Sequence, residues 1–196
     1  FTRNNATSVS YGGQTTRTVM AKELVSAMKD VNSSVALLKD DMFANGIGFS
    51  TAELNGSGIK LRSKFAASDD FFPGSDASIE GRAIRVGFDD LIEDQVDDVF
   101  VAWGDIAEAG KPGQITDGSK TRYVNQFGIE NDQVFAKGLI GALQVDQALN
   151  NYMTRVENDD NEVLEEGKNY TEMEHHFDEA YGYLRNEEDK GDKESF

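Results

Sequence analysis

The chain contains no cysteine. Disulfides, thiolate metal sites and cysteine nucleophiles are therefore excluded, while the redox compartment stays open. No apolar stretch approaches the length of a membrane span. Positive charge is scarce: 19 Lys and Arg stand against 36 Asp and Glu, a formal net charge of -17. Phosphate backbones and anionic lipid repel such a chain, so nucleic acid and membrane surfaces are not expected partners. Cations and basic partners are favoured, with plain solubility in a salty or extracellular medium as the competing explanation. Catalytic signatures are missing as well. There is no Gly-x-Ser-x-Gly elbow and no Walker pattern, and Gly46-Ile-Gly48 lacks the third glycine of a dinucleotide loop. An enzyme is accordingly the less favoured class. Imidazole is the scarcest useful group, since His175 and His176 are the only histidines.

What is present suits one soluble globular domain, because 196 residues are ample for a core. The spacing predicts an all-α, multi-helix, bundle-like domain over 1–184, with a charged tail at 185–196. A helical hairpin is expected at 14–45: Met20, Leu24 and Met28 recur every fourth residue, and a second helix from Ser34 ends at Asn45-Gly46. Residues 46–87 lose periodicity and read as a long irregular Gly/Asp/Ser-rich insertion. Ile59-Lys-Leu61 and Ile84-Arg-Val86 alternate briefly there, which allows one short hairpin. Core helices are expected within 88–156. Leu91, Val96, Phe100 and Trp103 mark one over 88–109, with an acidic opposite side. Val134 through Tyr152 mark another over 131–156, with Gly138 and Gly141 inside it. Interior glycines cost about 1 kcal/mol against Ala, so close approach of a neighbour is expected there. The acidic turn Asn158-Asp-Asp-Asn-Glu162 lacks EF-hand spacing.

The run Tyr170 to Leu184 is the clearest amphipathic helix. At roughly 100° per residue, Tyr170, Met173, Phe177, Ala180, Tyr181 and Leu184 form the expected core stripe. Glu172, His176 and Glu179 gather on another side, with His175 beside Glu179. Spacings of three and four residues bring such side chains within reach. A His-x-x-Glu pair presents an imidazole nitrogen and a carboxylate to one ion. His176 and Glu179 are thus the candidate metal ligands, with Glu172 and His175 supporting, and iron and zinc both accept the donor set. An ordinary surface histidine among carboxylates is the bland alternative.

Three segments carry a family resemblance: Val9-Ser-Tyr-Gly-Gly-Gln-Thr-Thr-Arg17, Lys137-Gly-Leu-Ile-Gly-Ala-Leu143 with Gln147 and Asn151-Tyr152, and Tyr170 to Leu184. Together they resemble the bacterial family called domain of unknown function 4856. That resemblance implies a helical, exported protein, a periplasmic or cell-surface lipoprotein, and gene neighbourhoods shared with imelysin-like iron-uptake proteins. Imelysins carry a Gly-x-His-x-x-Glu metal motif; here Glu174 stands at the glycine position before the His176–Glu179 match. The resemblance also implies that the chain covers only the N-terminal part of the family. Its start at Phe1 reads as processed or trimmed. A non-enzymatic metal-binding protein serving iron acquisition is therefore expected. The alternative is an acidic interaction module that docks a missing C-terminal half, an outer-membrane receptor or further copies of itself.

Overall fold

Met20 and Leu24 on the first helix and Met28 at its C-cap are fully buried, as their spacing demands. The computed structural model describes residues 1–74 and 77–185, and the charged tail beyond 185 lies outside the described residues. Helix α1 spans Gly12–Ala27. Helix α2, Ala36–Asn45, is wound as a π-helix and stops at Gly46, whose φ is 75°. A Cβ on Gly46 would lie 2.0 Å from the carbonyl oxygen of Ile59, so only glycine fits that stop. Helix α3, Ala52–Gly56, is short and is capped by Thr51, whose hydroxyl accepts from the Leu54 N–H. A single 3-10 turn, Arg62–Lys64, follows.

Helix α4 spans Ile79–Asp94 and continues as a π-wound segment, Gln95–Val99. Its start differs from the expected position at 88. The buried positions are Gly81, Arg85, Phe88 and Ile92, so the inward stripe of the first turns is made by a glycine and an arginine. Hydrophobic spacing cannot show such a stripe. Arg85 is tolerated inside because its guanidinium donates to the carbonyls of Phe65 and Ala66 at 3.1 and 3.0 Å. Ile84 and Val86 therefore lie on α4 and form no hairpin with Ile59–Leu61. Past Val99 the chain turns, and Val101 and Ile106 are exposed rather than helical core.

Two small antiparallel pairs break the helical pattern. Strands β1 (Thr2–Arg3) and β2 (Ala6–Thr7) form the N-terminal arm. Strands β3 (Gly113–Asp117) and β4 (Lys120–Val124) pair with Asp117 opposite Lys120, leaving the two-residue loop Gly118-Ser119. The protein is thus mostly helical with two two-stranded sheets.

Helix α5 covers 131–156, within the expected bounds, and alternates α and π winding through Asn131–Leu139, Ile140–Val145, Ala148–Met153 and Thr154–Val156. The centre of the core is a cluster of four rings, Phe43, Phe65, Phe88 and Phe135. Neighbouring centroids lie 4.9 to 5.5 Å apart in edge-to-face contacts. Gly138 of α5 faces Phe88, which accounts for one helix glycine; Gly141 faces open space. Helix α6, Glu172–Leu184, packs against α1 and the end of α5. None of the described helices is long and apolar enough to cross a membrane.

Candidate metal centre

Helix α6 begins with a full capping box. The Thr171 hydroxyl accepts from the Glu174 N–H at 3.2 Å, and the Glu174 carboxylate accepts from the Thr171 N–H at 2.9 Å. Glu174 also takes a bidentate pair from Arg3, with both contacts at 2.7 Å. The Arg3 guanidinium, then the Thr171 N–H, hold the Glu174 carboxyl below its usual range. Further along, Asp178 accepts from the Ser10 N–H at 2.8 Å, and burial raises its pKa. The N-terminal arm is therefore strapped to α6 at two points.

The helix presents a different face to the core from the one its apolar stripe suggests. Phe177, Tyr181 and Leu184 are about half exposed, at 52%, 49% and 56%. Tyr170 and Ala180 of the expected stripe are buried, and Gly182 and Tyr183 join them in place of those three. The cause is close packing on α1: a Cβ on Gly182 would lie 2.6 Å from Cβ of Tyr11 and 2.9 Å from Cβ of Gln14. Only that face lets the two backbones approach. Tyr183 follows it inward, stacks near Tyr152 and has its hydroxyl bound by Arg17 at 2.7 Å. Burial raises the pKa of both tyrosines.

This rotation divides the four expected ligands. His176 Nδ1 lies 2.6 Å from Oδ2 of Asp159, on the turn after α5. One ligand atom each from His176, Glu172 and Asp159 falls within 4.8 Å of the others, the one such group among the described residues. Glu179 belongs elsewhere. Its carboxylate accepts from Gln14 Nε2 of α1 at 2.7 Å and lies 3.9 Å from His175 Nε2. His175 stacks on Tyr170 with centroids 4.6 Å apart, and its buried Nδ1 has no partner. The expected i,i+4 pair Glu172–His176 is thus brought together, whereas the expected His176–Glu179 pair is not. Asp159, the third member of the group, was not among the expected ligands. Its only sequence signal is the acidic turn at 158–162, and nothing in that turn encodes its distance to His176, 17 residues further on.

One imidazole and two carboxylates suit borderline divalent ions such as ferrous iron or zinc. The group is anchored on two sides. Asp159 sits in a turn whose N–H groups at Asn158 and Asp159 donate to the Arg155 carbonyl, and His176 sits in a capped helix. Glu172 is exposed, so the cluster opens to solvent on its side.

The family model described as Domain of unknown function (DUF4856) matches residues 1–196, the full length given. No curated protein and no solved structure matches the chain.

Proposed function

The chain belongs to the family described as domain of unknown function 4856, and on that premise we propose that it is a non-enzymatic metal-binding protein. Its ion would be held by His176, Glu172 and Asp159. The observation that carries this reading is the convergence of three N/O donors from two separate elements within 4.8 Å. Their chemistry fits iron or zinc. Service in iron acquisition, and an exported periplasmic or surface location, are what the family resemblance adds to the proposal. The helices in this reading form a bundle-like scaffold, with the stretch after Gly46 as an irregular insertion.

Without an ion, His176 and Asp159 already complete a strong hydrogen bond at 2.6 Å. A structural clasp between α5 and α6 is therefore the competitor that the test must separate. Calorimetric titration of ferrous, zinc and calcium ions into the protein is expected to show saturable binding of the first two. His176→Ala and Asp159→Asn should each weaken it at least about tenfold, while Glu179→Gln leaves it within about twofold. Unchanged affinity in His176→Ala defeats the assignment.

The second reading, an acidic interaction module, has its own observation. Phe177, Tyr181 and Leu184 form an exposed apolar stripe on α6. Light scattering after size exclusion at low and high salt tests it. A salt-insensitive monomer with no bound partner counts against it.

A further inference from the structure

Far from the histidines, a cleft of about 440 Å³ opens between the end of α4, the turn after it, β4 and the start of α5. Small-molecule sites occupy roughly 300–1,000 Å³. Its floor includes Gln95, which is 1% exposed. The amide of Gln95 is held in one orientation because Nε2 donates to the Met28 carbonyl at 2.8 Å. Oε1 is left buried with no donor. A buried acceptor without a donor is destabilising, and such groups gather where a ligand or water completes them.

One wall is aromatic. Trp103 and Tyr123 stack face to face, 3.5 Å between centroids and 3° from parallel, with Phe100 edge-on behind Trp103 at 5.4 Å. Both stacked rings line the cleft and are only half-buried. The rim carries both signs of charge, and the charges oppose one another. Arg122 sits between Asp117 and Glu130 at 3.1 and 3.3 Å, and Lys29 lies 3.8 Å from Asp132. A simple anion would meet Glu130 and Asp132, and a simple cation would meet Lys29, Lys120 and Arg122. Neither is selected. What remains is a ring of hydrogen-bonding groups, both donors and acceptors, beside a stacked aromatic pair.

That combination matches a neutral polyhydroxylated ring. Such a ring offers hydroxyls to Gln95 Oε1 and the carboxylates, oxygens that accept from Lys and Arg, and C–H groups to pack against the aromatic pair. We propose that this cleft is a carbohydrate-binding site for a neutral saccharide of one or two rings. The proposal is independent of the metal reading, because none of its residues belongs to the histidine cluster.

Trp103 is the only tryptophan, so its fluorescence reports this cleft alone. The probes are glucose, galactose, mannose, N-acetylglucosamine, maltose and cellobiose, titrated into the full chain, with acetate and phosphate as anionic controls. At least one neutral sugar should shift Trp103 emission saturably at or below concentrations on the order of 10 mM. Tyr123→Ala should then weaken that binding about tenfold, equivalent to about 1.4 kcal/mol. Lys120→Ala, on the exposed rim, should weaken it about threefold without disturbing the fold, a check that survives even if Tyr123→Ala unfolds the hairpin. No shift with any sugar, a response to the anions alone, or sugar binding unchanged in both variants overturns the proposal.

Discussion

Gly138 and Gly141 lie three residues apart on α5, and only at Gly141 should replacement by alanine raise stability. In a helix, alanine is favoured over glycine by about 1 kcal/mol, because glycine loses more backbone freedom on folding. A Cβ at Gly141 meets nothing within 4 Å, so that gain is realised in full. For a chain of this size, about 1 kcal/mol corresponds to roughly 2–4 °C in Tm. At Gly138 the same Cβ would lie 2.8 Å from Cζ and 3.1 Å from Cε1 of Phe88. Carbon pairs prefer about 3.5–4.0 Å, so the ring must retreat. It has little room, because it packs edge-to-face on Phe65 at 4.9 Å and on Phe135 at 5.0 Å. Overpacking of this kind costs about 1–3 kcal/mol, which outweighs the helix gain or cancels it. Gly141→Ala should therefore raise Tm by a few degrees, and Gly138→Ala should leave it unchanged or lower it by several. Scanning calorimetry measures both. Placing Gly138→Ala in a Phe88→Leu background should give a favourable coupling of about 1 kcal/mol, since the clash then has slack. The reasoning fails if Gly138→Ala stabilises as much as Gly141→Ala.

The glycine pair shows what local pattern conveys. The two interior glycines of α5 pointed to a close neighbour, and the structure supplies one for Gly138 in the ring of Phe88. The helix itself was legible end to end, because its apolar positions keep helical spacing from Val134 to Tyr152. Helix α4 was legible only from Phe88 onward. Its first turns bury Gly81 and Arg85, and an inward arginine reads as surface until its carbonyl partners in another loop are known. The β3–β4 hairpin is a different kind of miss. Asp117-Gly118-Ser119 between Ile115-Thr116 and Thr121-Arg-Tyr-Val124 carries a two-residue turn signal, and Gly118 does adopt φ +61°. The turn chemistry is present, but five-residue strands on either side are too short to outweigh the helical spacing around them.

The candidate site was half legible for a similar reason. Glu172 and His176 meet because i,i+4 is a property of any helix. The phase of α6 was not, because its strongest apolar stripe, Phe177–Tyr181–Leu184, faces outward. What decides the phase is tight backbone approach at Gly182, a contact with Tyr11 and Gln14 that lies about 170 residues away in sequence. That same approach draws Glu179 to Gln14 and away from His176. Asp159 takes its place from the preceding turn.

Three further outcomes follow from α6. Gly182→Ala should lower Tm more than Gly138→Ala does, since its Cβ meets the first side-chain carbons of Tyr11 and Gln14 rather than a ring that pivots; a melt equal to wild type refutes the packing account of the helix phase. Thr171→Ala removes the cap hydroxyl bound to the Glu174 N–H and should cost about 1 kcal/mol by urea unfolding; no loss would mean that the Glu174 carboxylate, held by Arg3 and the residue 171 N–H, fixes the helix start without the hydroxyl. The last concerns acid. Arg3, then the Thr171 N–H, hold the Glu174 pKa below 4.5, its ordinary value. A carboxyl lowered in the folded state adds stability above its unfolded pKa and loses it as pH falls through the folded one. Burial acts oppositely at Asp178, whose raised pKa makes protonation favour the fold as pH falls toward 3.8. Only a variant that isolates Glu174 separates the two. Glu174→Gln does so, because glutamine at this position still completes the capping box while the ion pair disappears. Between pH 7 and about 4.5 the two melting curves should run parallel, with wild type the more stable; below that, wild type should fall toward the variant. High salt should shrink the gap, because both side chains are about one third exposed, at 37% and 32%. A constant offset down to pH 3, unaffected by salt, would show that the side chain contributes through packing and that its charge adds nothing.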